Sequence, residues 1–428
     1  MRRELLAWID DQLVGRLADE NGIWSFQYEP GWQAFGLCPQ LPLQREPLID
    51  GSSQRPVQWY FDNLLPEEGQ RQLLAQDARL DAADAFALLS WYGAESAGSL
   101  TLLAEGQRLP PGDRRPLSDA DLSRRIQAMP QLPLTHEAHK RMSLAGAQHK
   151  LAVILDEQGL QEPVGALPST HILKPDHPHE AFAHSVINEW FIMRLAGLAG
   201  LMVPAVKRRY VPEPVYLIER FDRVRTPGGW QRRHGIDACQ VLGLDRHFKY
   251  QAGSVERLAE LARLCEAPAV TRTRLFTWLA FNVLVGNTDA HLKNLGFLVS
   301  PRGLALAPCY DLLCTAVYES RAFDQQRWPD ATTLAWPILG ENRLAAIDRE
   351  RLLDVAEVLG IKRSPAAAQL QRLRQRLSLQ AQQLLEQTER ENQALAGARP
   401  ELRAVFAGEL RCLRAIRALI AEQVERLA

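Results

Sequence analysis

The residues best suited to do chemistry lie in one segment, Phe281–Asn294, where an acid and an amide stand five positions apart after an apolar run. Phosphoryl-transfer enzymes use this D-x-x-x-x-N spacing: the Asp accepts the proton of the attacking hydroxyl, and the Asn holds a metal ion on the nucleotide phosphates. In this chain the two roles fall to Asp289 and Asn294. The same spacing also occurs where two polar loop residues cap ordinary turns, so the neighbouring segments are needed to distinguish a phosphoryl-transfer loop from a plain turn.

Two further segments carry residue types that phosphoryl transfer needs. Downstream, the run from Leu304 to Asp311 predicts a short apolar strand ending in an acid, where a second metal-binding carboxylate belongs. Upstream, Lys174 ends a β-prone run and is suited to reach nucleotide phosphates as a point charge. A Lys at a strand end is also common as a solvated surface residue, so Lys174 gains its meaning from the order of the segments.

A loop of small residues precedes the apolar run Leu151–Leu155. Small side chains let backbone amides approach phosphate oxygens closely. The loop matches neither G-x-G-x-x-G nor G-x-x-x-x-G-K-[ST], so an ordinary tight turn before a strand is the alternative. The candidate phosphate-binding groups are the backbone of Ala145, Gly146, Ala147 and Gln148 and the ammonium group of Lys150.

In this order along the chain, the segments resemble the HipA family of toxin serine/threonine kinases, the toxic halves of bacterial toxin–antitoxin pairs. The resemblance extends over nearly the full length, because Phe61–Pro66 is similar to the small domain that precedes the kinase core in long members. Seven segments in family order are far more specific than any one of them. They are Ser143–Lys150, His171–Lys174, Asn188–Trp190, Ile218–Arg223, Cys239–Gln240, Gly286–Asn294 and Pro308–Asp311.

The resemblance implies an α+β fold: a protein-kinase-like two-lobed core, a small α+β N-terminal domain and a mostly helical C-terminal lobe. The small domain is predicted over residues 1–105, followed by a connector over 106–137. The kinase N-lobe, with the phosphate loop and the ATP-binding Lys, is predicted over 138–221. The helical C-lobe with the catalytic loop is predicted over 222–428.

The resemblance also implies a role for each residue. Asp289 is the catalytic residue, and Asn294 and Asp311 bind Mg²⁺, which prefers oxygen ligands. Glu189 is expected to turn towards Lys174 as a kinase helix Glu does, with Gln240 as a second supporting residue. The ATP contacts are assigned to Ala145, Gly146, Ala147, Gln148, Lys150, Lys174, the backbone of Glu219, Arg220 and Phe221, and His291, Lys293, Asn294 and Asp311.

Ser143 matches the position of an autophosphorylation site in the family's mobile phosphate loop. A phosphate there adds close to two negative charges, which favours an ejected loop over one that cradles ATP and switches the kinase off. The chain departs from the commoner family pattern at His149, where an acid is usual, and at Ala290 and Leu292 in the catalytic loop. These departures leave the substrate and the loop geometry open.

The function implied is an ATP- and Mg²⁺-dependent serine/threonine protein kinase that acts as a growth-arresting toxin. Its expected partners are a HipB-like helix-turn-helix antitoxin, a protein substrate such as an aminoacyl-tRNA synthetase, and operator DNA reached mainly through the antitoxin. One alternative is a non-catalytic nucleotide-binding co-repressor scaffold that works with a helix-turn-helix partner. Another is a small-molecule kinase of the same broad fold.

Composition agrees with a globular cytoplasmic protein that does not bind membranes. The 50 Lys and Arg residues against 51 Asp and Glu leave no general electrostatic reason to bind nucleic acid. No apolar run has transmembrane length, and acids interrupt the apolar start of the chain, which argues against a signal peptide. The six cysteines form no C-x-x-C pair, which suits reduced thiols.

Local patterns predict the elements that position these residues. Asn21-Gly22 is a candidate hairpin turn, Ser118 a candidate helix cap, and Gly397–Pro400 a helix break. Strands are predicted at Leu5–Ile9, Ile23–Tyr28, Lys150–Leu155 and His171–Lys174. Helices are predicted at Leu64–Ala75, Ala82–Trp91, Glu180–Gly197 and Leu275–Val285.

Overall fold

The computed structural model describes residues 2–428, so the first residue of the predicted domain 1–105 lies outside it. The chain divides into two compact units, each built from segments that are distant in sequence. Unit 1 comprises the chain up to Pro175, Leu217–Lys249 and Gly296–Ala307. Unit 2 comprises Asp176–Tyr216, Tyr250–Leu295 and Pro308–Ala428.

Helices and strands are both numbered in chain order. The strands are β1 (Arg2–Ile9), β2 (Gln12–Glu20), β3 (Ile23–Tyr28), β4 (Leu48–Ile49), β5 (Leu100–Leu103), β6 (Asp113–Pro116), β7 (Leu151–Asp156), β8 (Gly159–Val164), β9 (His171–Pro175), β10 (Val206–Tyr210), β11 (Pro214–Glu219), β12 (Arg223–Thr226), β13 (Gly229–Arg232), β14 (His234–Asp237), β15 (Gly296–Ser300), β16 (Gly303–Leu306), β17 (Thr333–Ile338) and β18 (Glu341–Arg343). The α-helices are α1 (Pro56–Asp62), α2 (Glu68–Ala78), α3 (Ala85–Tyr92), α4 (Asp119–Gln127), α5 (Ser185–Ala199), α6 (Ala238–Leu242), α7 (Val255–Leu264), α8 (Pro268–Val285), α9 (Arg349–Val358), α10 (Arg363–Ala398) and α11 (Arg403–Arg426).

Unit 1 begins with an antiparallel sheet in the order β4-β3-β2-β1-β5. The predicted hairpin turn at Asn21-Gly22 is confirmed, because Glu20 pairs with Ile23 and both turn residues have positive φ, 55° and 83°. Helices α1 and α3 cover this sheet through aromatic contacts. Phe61 lies 5.5 Å from Phe26 between ring centroids, and Phe86 packs edge-on at 5.2 Å from Trp24.

A second sheet of unit 1 positions the predicted phosphate loop. Four of its strands lie in the order β9-β7-β8-β6, and β7 pairs antiparallel with β9 through Leu151 and Leu173. The loop that ends at Lys150 therefore leads directly into β7, and Lys174 lies on β9. Ser118 caps α4 as predicted, because its hydroxyl accepts a hydrogen bond from the backbone N–H of Asp121.

Residues 223–237 correct the prediction of a lobe that is helical from residue 222 onwards. They form β12, β13 and β14 of unit 1. The cause is a local turn signal, Pro227-Gly228-Gly229, which joins β12 and β13 as a hairpin that pairs Thr226 with Gly229. Strand β14 then pairs with β15, and β15 with β16, in a three-stranded antiparallel sheet.

Unit 2 is mainly helical and is built around α8, which has buried residues on all sides of its second half. Helix α8 begins at Pro268, seven residues before the predicted start at Leu275, because a Pro is well tolerated in the first turn of a helix. Helix α10 ends at Ala398, so the predicted break before Pro400 is confirmed. Within the part of the chain that the structure describes, no helix combines the length and apolar character that a membrane crossing requires.

Three predicted helix starts were too early, and tertiary contacts or caps explain the difference. Helix α5 starts at Ser185, five residues after the predicted start, because Asp176 accepts hydrogen bonds from the Val186 N–H and the Ser185 hydroxyl. Helix α3 starts at Ala85, where the Asp84 carboxylate accepts from the N–H of Ala87. Helix α2 starts at Glu68, after Pro66 has paired as an isolated bridge.

Candidate active site

The loop that carries Asp289 begins where α8 ends at Gly286. This glycine is in the left-handed region, with φ of +67°, and its carbonyl accepts a hydrogen bond from the Ala316 N–H at 2.9 Å. A Cβ atom at Gly286 would lie 2.9 Å from a methyl carbon of Leu419 and 3.0 Å from Cβ of Ala316. Only a glycine allows both the backbone conformation and the close packing, and this fixes where the loop leaves the helix.

We expect the Gly286→Ala variant to lose about 1–3 kcal/mol of unfolding free energy, because the new methyl group meets a strained φ and occupied space together. Urea unfolding of the purified protein measures this loss. Gly340→Ala is the matched control, because Gly340 also has positive φ, +83°, but no atom lies within 4 Å of its built Cβ. A loss no larger than that of the control would contradict a role for packing at Gly286.

Hydrogen bonds within the loop fix its backbone around Asp289. The Asn287 side chain accepts from the Asp289 N–H at 3.1 Å and donates to the Asn282 side chain on α8 at 2.7 Å. From the other end of the loop, Nδ2 of Asn294 donates to the carbonyl of Asp289 at 3.1 Å. Asp289 is therefore held by side chains on both sides, which preorganises the loop.

Within residues 287–294, Asp289 alone is exposed. Ala290, His291, Lys293 and Asn294 are each less than a tenth exposed. The carboxylate of Asp289 thus faces solvent from a rigid, otherwise buried loop. An incoming hydroxyl group could reach it there, as a general base requires.

Tyr250 also contacts this carboxylate and was not predicted from the sequence. Its hydroxyl donates to Oδ1 of Asp289 at 2.7 Å, and its ring packs edge-on against His291 with centroids 5.1 Å apart. Tyr250 lies 39 residues before Asp289 in the chain. No spacing rule connects positions so distant, so no sequence signal identified it.

Asp311 is brought next to the same loop by its neighbour. The Tyr310 hydroxyl donates to the carbonyl of Lys293 at 2.7 Å. Asp311 itself has φ of +58°, a strained conformation that is common at functional sites. The predicted strand ending in Asp311 is wrong in extent, because β16 ends at Leu306 and Pro308 prevents further pairing.

Glu189 on α5 lies within unit 2 near the same acid. Burial, followed by the charges of Glu189 and Asp311, raises the pKa of Tyr216 well above its usual range. Glu189 is itself only 3% exposed, so it does turn inward as predicted, although its pairing with Lys174 stays a prediction. Glu189 and Asp311 therefore share the surroundings of one buried tyrosine.

The donor set of unit 2 fits a magnesium ion. Because Nδ2 of Asn294 is committed to the carbonyl of Asp289, the oxygen of the Asn294 amide is the atom oriented as a ligand. Asn294 and Asp311 together offer amide and carboxylate oxygens, which Mg²⁺ prefers, with waters and phosphate completing the shell. Among the described residues, no group of three or more His, Cys, Asp or Glu side chains could hold a metal.

In unit 1 the small-residue loop is tied back on itself and to the N-terminal domain. The Lys150 ammonium donates to the Ala145 carbonyl at 2.5 Å, and Gly146 has φ of +108°. The Gly146 carbonyl accepts from the N–H of Glu67 at 3.3 Å. The positive φ of Gly146 bends the loop as only glycine readily allows, so the segment forms a tight turn, and its binding of phosphate stays a prediction.

Ser143, the predicted autophosphorylation site, is fully buried at the start of this loop. Its N–H donates to the Glu95 carbonyl at 2.8 Å, whereas its Oγ atom has no hydrogen-bond partner within residues 2–428. In this conformation no phosphate donor can reach the hydroxyl. Phosphorylation of Ser143 therefore requires the segment to leave its place.

Comparison with known proteins decides the family. A family model described as the HipA-like C-terminal domain matches residues 142–387, and one described as the HipA N-terminal domain matches residues 5–103. The chain belongs to the HipA family. The α+β, kinase-like fold class that the resemblance implied is thereby confirmed.

Similar proteins cover most of the chain. The serine/threonine-protein kinase toxin HipA of Shewanella oneidensis is 31% identical over 392 residues, 86% of each protein. A Sinorhizobium fredii protein named "Putative kinase Y4mE" is 37% identical over 334 residues, 74% of this chain and 78% of that protein. The solved complex of Shewanella oneidensis HipA with HipB and operator DNA contains a chain with a TM-score of 0.79 and 28% identity, covering 99% of this chain and 97% of that one. This HipA-family chain is a serine/threonine protein kinase by class.

Two of the residues assigned from the HipA resemblance serve the fold of unit 1. The Arg220 guanidinium is buried, and one of its nitrogens lies 2.7 Å from a carboxylate oxygen of Asp222. The backbone N–H of Arg220 donates to the Thr170 carbonyl at 2.9 Å. Gln240 forms a capping box with Asp237 at the start of α6. The backbone N–H of Arg220 is already paired with Thr170, and the predicted adenine contact through the backbone of Glu219, Arg220 and Phe221 stays a prediction.

Proposed function

We propose that this chain is an ATP- and Mg²⁺-dependent serine/threonine protein kinase that acts as the toxin of a HipBA-like toxin–antitoxin pair. The observation that carries the proposal is the rigid loop in which an exposed Asp289 precedes an Asn294 whose amide oxygen is oriented as a ligand. The proposed residues of unit 1 are the small-residue loop and Lys174, and those of unit 2 are the acid–amide loop and Asp311.

Asp289 takes the proton of the substrate Ser or Thr hydroxyl as that oxygen attacks the γ-phosphorus, while the bond from the γ-phosphorus to the bridging oxygen breaks and ADP leaves. Asn294 and Asp311 would hold Mg²⁺, which would neutralise the charge that develops on the phosphates. Lys174 adds a positive charge for the phosphates, and Lys150 adds donors together with the loop backbone from Ala145 to Gln148. Glu219 and Phe221 offer backbone groups for an adenine edge. His291 and Lys293 contact the transferring phosphate or the substrate.

The proposed partners follow from the same family relation. The Shewanella oneidensis HipA structure is a complex with HipB and operator DNA, which supports a HipB-like helix-turn-helix antitoxin for this chain. The formal net charge of −1 favours DNA contact mainly through that antitoxin. The proposed substrate is a cytoplasmic protein of translation, such as an aminoacyl-tRNA synthetase, whose phosphorylation stops growth.

Autophosphorylation of Ser143 is proposed as the off-switch. Moving the buried Ser143 hydroxyl into solvent breaks no hydrogen bond of its Oγ atom. A phosphate in its place would carry close to two negative charges, which cannot be buried there. The modified segment must therefore stay outside. The loop from Ala145 to Lys150 would then no longer cradle phosphates.

The competing function is a non-catalytic nucleotide-binding scaffold that works with a helix-turn-helix repressor. The retained Asp289, Asn294, Asp311 and Lys174 argue against it, because a scaffold has no need of a general base or of metal ligands. A measurement of phosphoryl transfer therefore distinguishes the kinase from the scaffold.

We expect the wild-type chain, incubated with Mg²⁺ and γ-labelled ATP, to carry label on Ser143, and the Ser143→Ala variant to carry none there. Mass spectrometry of intact and digested protein locates the phosphate and detects any present from expression. Ser123→Ala is the matched control, because Ser123 is a buried serine of unit 1 outside the loop. An unphosphorylated wild type that binds ATP but transfers no phosphate would support the scaffold.

A further inference from the structure

We propose that Tyr250 is a positioning residue for the general base, and that Trp336 fixes the position of Tyr250 relative to the catalytic loop. This inference rests on the proposed role of Asp289. Tyr250 starts the second segment of unit 2 and is partly buried. Its hydroxyl donates to Oδ1 of Asp289 at 2.7 Å. A bond of this length to a carboxylate is a strong, charge-assisted one.

Trp336 on β17 connects the two partners. Its indole N–H donates to the carbonyl of Ala290, the residue after Asp289, at 2.9 Å. The same ring lies against Gly253, where a built Cβ atom would be only 2.5 Å from Cγ of Trp336. The Gly253 N–H in turn donates to the Tyr250 carbonyl at 3.0 Å, so one buried indole contacts both the loop and the turn that carries Tyr250.

The packing of the Tyr250 ring restricts its hydroxyl further. The ring stands edge-on to His291, with an interplanar angle of 75°. His291 is buried in the catalytic loop, so it moves with Asp289. The phenol therefore reaches the carboxylate from a direction set by the loop itself, and Asp289 is held at its backbone and at one side-chain oxygen.

The consequence for the chemistry is one of orientation. With Oδ1 bonded to the phenol, rotation of the carboxylate is restricted, which reduces the cost of reaching the attack geometry.

The test uses the full-length chain and follows ADP formation from ATP and Mg²⁺, which reports transfer to protein or to water. We expect the Tyr250→Phe variant to lower kcat about 10–100-fold, as for a lost hydrogen bond to a charged group, with an unchanged KM for ATP. Gly253→Ala keeps the phenol but pushes the turn off Trp336, so a smaller loss of kcat, again with an unchanged KM for ATP, is expected.

Tyr210→Phe is the matched control, because Tyr210 in unit 2 also donates to a carboxylate, that of Glu409, but on β10 away from the loop. It is expected to keep the wild-type kcat and KM for ATP. An unchanged or higher kcat for Tyr250→Phe, or a loss of kcat with a comparable rise in KM, would overturn the positioning role. Asp289→Asn in the same assay separates the two proposals: if it keeps wild-type ADP formation, or if the wild type forms none, catalysis by Asp289 fails and the inference fails with it.

Discussion

Replacing Asp289 by Asn is expected to lower phosphoryl transfer by about 10²–10⁴-fold while the protein stays folded, because the proton of the attacking hydroxyl loses its acceptor. The fold should tolerate the change. Asp289 is exposed, and the amide oxygen of the variant can still accept the hydrogen bond that Tyr250 donates. Label transfer from γ-labelled ATP in the presence of Mg²⁺ measures the first expectation, and thermal unfolding measures the second.

The variant also links catalysis to growth arrest. Expression of the wild-type chain without an antitoxin should stop growth, whereas Asp289→Asn should not. Asp324→Asn is the matched control: Asp324 is an exposed aspartate of unit 2 with positive φ, +58°, outside the loop, and its substitution should change neither readout. Growth arrest by a catalytically dead Asp289→Asn protein would mean that toxicity does not come from phosphoryl transfer, and the scaffold function would then be preferred.

Much of the candidate site could be predicted because its chemistry is local in sequence. Asp289 and Asn294 belong to one loop, and the hydrogen bond from Asn294 to the Asp289 carbonyl explains why their spacing is diagnostic. Tyr250 and Trp336 could not be predicted in this way. They reach the loop through contacts 39 and 46 residues apart in sequence, and only the fold places them there.

The fold was predictable where local chemistry decides it and failed where distant residues do. The Asn21-Gly22 hairpin and the Ser118 cap depend on neighbours in sequence, and both are confirmed. The start of α5 depends on Asp176, which lies outside the helix and whose carboxylate accepts a hydrogen bond from the Val186 N–H in the first turn. For Arg220 the hinge-like turn predicted a nucleotide contact through the backbone but gave no sign that the side chain is buried in an ion cluster, which only the fold reveals.

That cluster is centred on Glu95, which is fully buried in unit 1 and has four cationic neighbours. Burial opposes ionisation, but the positive charges outweigh it and hold the pKa of Glu95 well below its usual range. The Ser169 hydroxyl also donates to the carboxylate at 2.7 Å. The four cations and their nitrogen–oxygen distances to Glu95 are Lys140 at 2.7 Å, Arg223 at 3.0 Å, Arg220 at 3.3 Å and Arg232 at 3.3 Å.

We expect the Glu95→Gln variant to lose about 3–5 kcal/mol of unfolding free energy, because it leaves buried cations without their counter-charge while keeping the side-chain volume. Asp222, which pairs with Arg220 and Arg223, and Asp10, which pairs with Arg232, would remain as two carboxylates against four cations. Urea unfolding measures the loss. Glu105→Gln is the matched control, since Glu105 is exposed and forms a surface pair with Arg16 at 3.6 Å, for which about 0–1 kcal/mol is expected.

The pH dependence tests the cause. Because the pKa of Glu95 is depressed in the folded state, its stabilising effect is fully present above the unfolded-state value of about 4.3 and is lost as pH falls through the folded-state value. The stability gap between wild type and Glu95→Gln should therefore be constant near neutral pH and narrow only in acid. A gap that persists unchanged in acid would show that lost packing, and not lost charge, destabilises the variant.

The Glu95→Gln substitution also tests the proposed off-switch at Ser143. Lys140 and Ser143 both bond to Glu95, one to its carboxylate and the other to its carbonyl, so the ion cluster anchors the segment that must leave before Ser143 can be phosphorylated. Glu95→Gln removes the charge that holds Lys140 but keeps the carbonyl that holds Ser143. Faster labelling of Ser143 in this variant than in wild type, at a temperature where both are folded, is expected if the cluster restrains the loop. Equal labelling rates would mean that Glu95 contributes to the stability of unit 1 but does not restrain the loop.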